Sequence, residues 1–93
     1  MASYVLDTNV VAALMRGEGE AEERLLHQRP NEVYLVQPVI AEVEYGLARK
    51  RLGQRIADFD VAIAAHAIAL DATLATRNIA HFKRVPRLEC QTW

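Results

Sequence analysis

Four oxygen-bearing side chains, Asp7, Glu42, Asp60 and Asn78, stand far apart in a 93-residue sequence but at equivalent places in its pattern. Asp7 ends the first β-prone run, and Glu42 lies one turn into the helix that leaves the second. Asp60 starts the helix that feeds the third, and Asn78 follows that third run. If the runs form one parallel sheet, all four lie along its strand-to-helix edge, where open α/β sheets bind ligands. Three clustered carboxylates repel one another and rise in pKa unless a cation neutralises them. Hard oxygen ligands without Cys or His suit Mg²⁺ or Mn²⁺, which keep several waters and can hold a phosphodiester. The implied chemistry is metal-assisted phosphodiester hydrolysis, the metal activating water and offsetting the charge of the phosphorane.

Each residue also has an ordinary structural use. Asp7 can cap a helix together with Thr8, Asp60 can be an N-cap, Glu42 a solvated helix residue and Asn78 part of a turn. Any one of them alone favours that use; the four together weaken it. Spacing does not choose Glu42 over its neighbour Glu44, because two positions along a helix turn a side chain by about 200° and only one of the pair can face the site. Asp58 is a similar rival to Asp60. His27, His66 and His81 share no metal-ligand spacing, His66 reads as a packed helix residue, and Cys90 as a buried small apolar group. A phosphotransfer role for Asp7 would need a second nearby aspartate or a suitably placed lysine, and Lys50 and Lys83 are the only lysines.

The elements that must position these residues follow from periodicity and punctuation. Residues 3–7 (SYVLD) form a short buried strand. Thr8 caps a helix over 9–16 that Gly17 stops, and a polar helix over 18–28 packs through Ala21, Leu25 and Leu26. A Pro30-Asn31 turn leads into a strand over 33–36. Pro38 opens a helix with Val39, Val43, Gly46 and Leu47 on its inward stripe and Arg49, Lys50 and Arg51 in its last turn, ended by Gly53. After 54–57 comes a helix over 60–70, so rich in Ile and Ala that it reads as buried on most sides. A third strand over 73–75, a helical turn over 78–82 and a fourth strand over 88–90 complete an α/β chain with a mostly parallel sheet.

Composition bounds the rest. A chain that is 52% hydrophobic and 25% charged is too apolar for disorder, and its length admits one core, hence a single domain over 1–93. The longest uncharged runs, such as 63–70, fall far short of the roughly 18 residues of a membrane span, and no export signal opens the chain. Cys90 is the only cysteine, which excludes an internal disulfide and a Cys-based zinc site and fits a reducing cytoplasm. The net charge of −1 hides a split: residues 1–48 carry eight acids and three bases, residues 49–93 four acids and eight bases. The basic half is weak support for a nucleic-acid-facing surface.

The blocks VLDTNVVAALM, PVIAEVEYGL, DVAIAAHAIAL and TLATRNIAHF, with Trp93 closing the chain, resemble in order the successive motifs of PIN domains of the VapC toxin type. The resemblance covers nearly the whole chain. It implies an α/β/α sandwich with about four strands in the order 2-1-3-4, and a Mg²⁺- or Mn²⁺-dependent endoribonuclease that acts on RNA and is restrained by a cognate antitoxin. Carried over by motif, the acidic site is Asp7, Glu42 and Asp60, with Asn78 at the fourth position, and Thr8, Asn9 and Thr76 orient these ligands. The resemblance thus selects Glu42 over Glu44 and Asp60 over Asp58.

One departure is large. Relatives carry a longer segment between the YGL helix and the DxxIAAHA helix, whereas here only residues 48–59 join them, so an edge strand and flanking helices are absent. The shortening leaves the four motifs in place but exposes residues 33–36 as a new sheet edge and uncovers apolar helix surface, which favours self-association as a homodimer or cover by an antitoxin. The alternative function is a truncated, catalytically weak PIN-like module that binds antitoxin or RNA.

Overall fold

Alternating apolar residues on short strands let one sheet bury both of its faces, and that alternation organises the molecule. In a computed structural model the described residues are 2–44 and 56–93, with the backbone alone described at 41–44 and 56–59. The order of elements is β1 (Tyr4–Leu6), α1 (Thr8–Met15), α2 (Gly19–Leu26), a 3₁₀ turn (Pro30–Glu32), β2 (Val33–Tyr34), α3 (Gln37–Glu44), α4 (Ile56–Ala69), β3 (Thr73–Ala75), α5 (Ile79–Phe82) and β4 (Cys90–Gln91). The four strands form one sheet in the order β2-β1-β3-β4, all pairs parallel. The register pairs Leu6 with Ala75, so β1 and β3 end level with one another.

Two apolar clusters lie on opposite sides of this sheet. Val5 and Leu74 face Val39 of α3, Ile63, Ala64 and Ala67 of α4, and Phe82 of α5. The intervening residues Leu6 and Ala75 face Val10 of α1 and Trp93, with Leu14 and Leu25 packed alongside. The result is the α/β/α layering that the sequence implies. Full burial of Val5, Ile63 and Leu74 stabilises the fold by about 1.5–3 kcal/mol for each side chain. Helix α1 ends in a Schellman turn: Glu18 N–H donates to the Ala13 carbonyl and Gly17 N–H to that of Leu14. Gly17 takes the required left-handed conformation at φ +72°.

Several expectations need correction. The cap of α1 is Asp7 rather than Thr8, which is already helical. Leu26 does not pack; it is 76% exposed, because α2 turns only Ala21 fully inward. β2 covers two residues, with Leu35 turned outward and Val36 buried beyond the strand's end. α4 starts at Ile56, not at Asp60, since residues 56–59 contain no Gly or Pro and Asp58 suits a first turn. Nor is α4 buried on most sides. Among its described side chains the buried row is Ile63, Ala64 and Ala67, while Val61 and Ile68, and Leu70 just past its end, are exposed. His66 is exposed as well, its Nδ1 bonding the Ala62 carbonyl one turn back. β4 lies at 90–91 instead of 88–90. Gly46, Leu47, the cations at 49–51, Gly53 and the 54–55 link lie outside the described residues, as does the side chain of Val43. No helix among the described residues is long and apolar enough to cross a membrane.

Candidate metal centre

Asp7 is fixed from both directions by the sheet. Its backbone N–H donates to the Ala75 carbonyl at the end of β3 (2.8 Å). Its side chain is buried, with Oδ1 accepting from Thr8 N–H (2.8 Å) and Oδ2 from the Thr76 hydroxyl (2.7 Å). A carboxylate at the N-terminus of α1 is favoured both as a cap and by the helix dipole.

Thr76, fully buried just after β3, is the hub of this corner. While donating to Asp7 it accepts from Asn78 N–H (3.0 Å) and from Asn9 Nδ2 (3.4 Å). One donor and two acceptor positions are all a hydroxyl offers, and all three are used. The Asn9 carbonyl oxygen in turn accepts from Arg77 N–H (3.1 Å). Thr8, Asn9 and Thr76 therefore all surround Asp7, each through a named bond.

Asp60 meets the segment that follows Thr76 from another layer. It stands three and four positions before Ile63 and Ala64, on the inward row of α4, and its side chain is 16% exposed. His81 on α5 lies against it, Nε2 to Oδ2 at 2.9 Å. Phe82, beside His81 and buried in the same cluster as Ile63 and Ala64, pins α5 to α4. Asn78 is the cap residue of α5 but makes no side-chain capping bond, so helix capping is not the use of its amide. The segment from Thr76 to Phe82 thus touches Asp7 at one end and Asp60 at the other.

Glu42 lies in the second turn of α3, a helix that packs against both α4 and α1. The helix that carries Glu42 therefore lies against both the helix that Asp7 caps and the helix that carries Asp60. The side chains of Glu42, Glu44 and Asp58 are outside the description. Among the described side chains, no three Asp, Glu, His or Cys group closely enough to hold an ion by themselves. The donors that the corner offers are carboxylate and amide oxygens, a set that fits a hard divalent cation.

Around this corner the charges are paired. Arg77 donates to Glu18 from NH1 and to the Trp93 carbonyl from Nε (3.3 Å), and Arg16 donates to the other oxygen of Glu18. Hydrogen bonds from Arg77 and then Arg16 hold the Glu18 carboxyl below its usual range. Burial, and secondarily the charge of Asp7, push the half-buried Cys90 thiol up. Sequence reasoning missed His81 and Arg77. The signal was present in TRNIAHF, where His81 follows Asn78 by one helical turn, but a search for metal-ligand spacing among histidines passes over a histidine whose partner is a carboxylate.

Comparison with known proteins adds relatives to this geometry. Residues 4–61 match the family described as PIN domain. The chain is 34% identical over 100 residues to Ribonuclease VapC2 of Rickettsia felis, an alignment that covers 98% of this chain and 75% of that protein. It is 33% identical over 70 residues to Ribonuclease VapC1 of Haemophilus influenzae strain R2866, covering 74% of this chain and 52% of that protein. Among solved structures it is similar to the crystal structure of VapBC2 from Rickettsia felis bound to a DNA fragment from their promoter. The TM-score is 0.78 at 26% identity, covering 97% of this chain and 98% of that one.

Proposed function

The chain belongs to the PIN domain family, and on that premise we propose that it is a metal-dependent endoribonuclease, the toxin of a toxin–antitoxin pair. Asp7, Glu42 and Asp60 are the residues that would hold Mg²⁺ or Mn²⁺, with Asn78 at the fourth position and Thr8, Asn9 and Thr76 orienting Asp7. When bound, the cation would supply positive charge to offset that of the phosphodiester under attack. The chain's own residues do the positioning. Thr8 N–H and the Thr76 hydroxyl fix both oxygens of Asp7, so this carboxylate would need little reorganisation to receive a cation.

The observation that carries the reading is the reach of the Thr76–Phe82 segment from Asp7 to Asp60, since these two motif residues are remote in sequence and belong to different layers. The 34% identity to a ribonuclease VapC supports RNA as substrate. Likeness to a VapBC2 complex supports an antitoxin partner, and a toxin that cuts RNA would act in the cytoplasm. The whole chain, 1–93, acts as a single domain shortened around 48–59. Incubation of the purified protein with RNA tests the reading: cleavage that appears with Mg²⁺ or Mn²⁺ and stops on adding EDTA is the expected result.

The second reading, a shortened module that binds RNA or antitoxin without cutting, draws on one fact. The chain spans about half the length of the Haemophilus relatives it matches. RNA retained by the protein but left intact at every metal concentration would favour it. A groove of about 510 Å³ lined by Leu14, Leu25, Leu26, Val33 and Leu35 supports the need for a covering partner, whether antitoxin or a second copy.

A further inference from the structure

We propose that His81 is a positioning residue for Asp60, its Nε2–H fixing the carboxylate in the orientation from which Asp60 serves a divalent cation. The inference rests on the metal site proposed above. A carboxylate can only accept, so the ring nitrogen 2.9 Å from Asp60 Oδ2 carries the proton of this bond. The contact is not an accident of long surface side chains. Phe82 is 2% exposed and shares one buried apolar cluster with Ile63 and Ala64 of α4, and the ring of His81 meets that of Phe82 edge-on at 5.1 Å and 83°. His81 is thereby presented to Asp60 from a fixed turn of helix.

Nor does stability explain the pair. The His81 side chain is 46% exposed, and a polar contact so close to solvent contributes little to folding. Asp7 shows what the corner otherwise requires: its oxygens accept bonds from the first N–H of α1 and from the Thr76 hydroxyl just after β3. Asp60 stands within α4 rather than at a strand end, and His81 reaches it from another element. That donor arrives on the segment that begins at Thr76. Partners that orient ligating carboxylates typically change metal affinity or activity by about 10–100-fold when removed.

Titration of Mn²⁺ into the full chain, with free ion read by its electron paramagnetic resonance signal, tests the assignment. His81→Ala is expected to bind Mn²⁺ about 10-fold or more weakly than the unaltered chain while keeping its circular dichroism spectrum and melting temperature. His81→Gln, whose amide places an N–H at similar reach, is expected to recover most of the affinity. With a short RNA, kcat should fall in His81→Ala and KM should hold. If the unaltered chain binds Mn²⁺, Asp60→Asn does not, and His81→Ala binds as the unaltered chain does, the positioning role is wrong and the metal site stands. Equal losses in folded His81→Ala and His81→Gln would also overturn it. Absence of Mn²⁺ binding by the unaltered chain would overturn both.

Discussion

The two described carboxylates of the corner are held by different kinds of structure. Asp7 is 4% exposed and belongs to the sheet: its backbone bonds β3, and its oxygens accept from the first helical N–H of α1 and from a hydroxyl at the end of β3. Asp60 belongs to a helix face and meets an exposed histidine from a four-residue helix. The first arrangement cannot shift without breaking strand pairing. The second depends on the seating of α5 through the buried Phe82. One half of the site is therefore set when the sheet forms, and the other only when α5 docks through Phe82.

Replacing Asp7 should have the largest effect. Asp7→Asn keeps a competent helix cap but deprives the Thr76 hydroxyl of a charged acceptor and the site of a ligand. Cleavage should fall by at least about 100-fold, with the fold retained by circular dichroism because relief of carboxylate repulsion offsets the lost bond. Cleavage that persists in this variant with an unchanged metal requirement would mean that the chemistry lies elsewhere.

Thr76→Val comes next, because it keeps the shape and deletes the hub. The buried Asp7 and the part-buried Asn9 and Asn78 N–H each lose a partner, which should destabilise the domain by about 1–3 kcal/mol, roughly 5–20 °C in melting temperature for a domain of this size. Activity should drop by about 10–100-fold. Thr76→Ser, which keeps the hydroxyl, should retain most of both. If Val and Ser variants melt and cut alike, the hydroxyl network does not organise the corner.

Away from the site the expected effects concern association. Leu26 is 76% and Leu35 53% exposed beside the apolar groove, so the isolated chain should self-associate. The double change Leu26→Gln and Leu35→Gln should shift sedimentation toward monomer and leave Mn²⁺ binding unaltered. A monomeric unaltered chain at high concentration would withdraw the idea of an uncovered surface.

The smallest effect belongs to Glu18. Its carboxyl is held below the usual 4.5 by Arg77 and Arg16, so the pairing stabilises the folded state above that value and is lost as pH falls through the lower folded value. The melting-temperature difference between the unaltered chain and Glu18→Gln should therefore be largest near neutral pH and shrink below 4.5. A difference that grows with acidity would contradict the assignment.

Sequence reasoning was strongest where local chemistry and tertiary context agree. The strand over 73–75 was legible to the residue because Thr-Leu-Ala is bounded by a turn and buried on both faces, and the strand order came with the family resemblance. The start of α4 was not legible. Asp60 looks like a cap, but residues 56–59 carry no breaker, and only packing decides where such a helix begins. The exposed Val61, Ile68 and Leu70 misled for a related reason: an Ile- and Ala-rich run has little polar punctuation to mark its solvent face. In the site, single residues could be nominated from spacing, yet the bonds among Asp7, Asn9, Thr76 and Asn78 span up to 69 positions and depend on β1 and β3 ending level. His81 escaped notice because its partner is 21 positions away on another helix.

The most direct test of the central claim is anomalous diffraction from crystals of the protein grown with Mn²⁺. One ion is expected at coordinating distance from carboxylate oxygens of Asp7, Glu42 and Asp60, at the carboxyl edge of β1 and β3. An ion bound elsewhere, or the three carboxylates on different faces of the domain, would contradict the account.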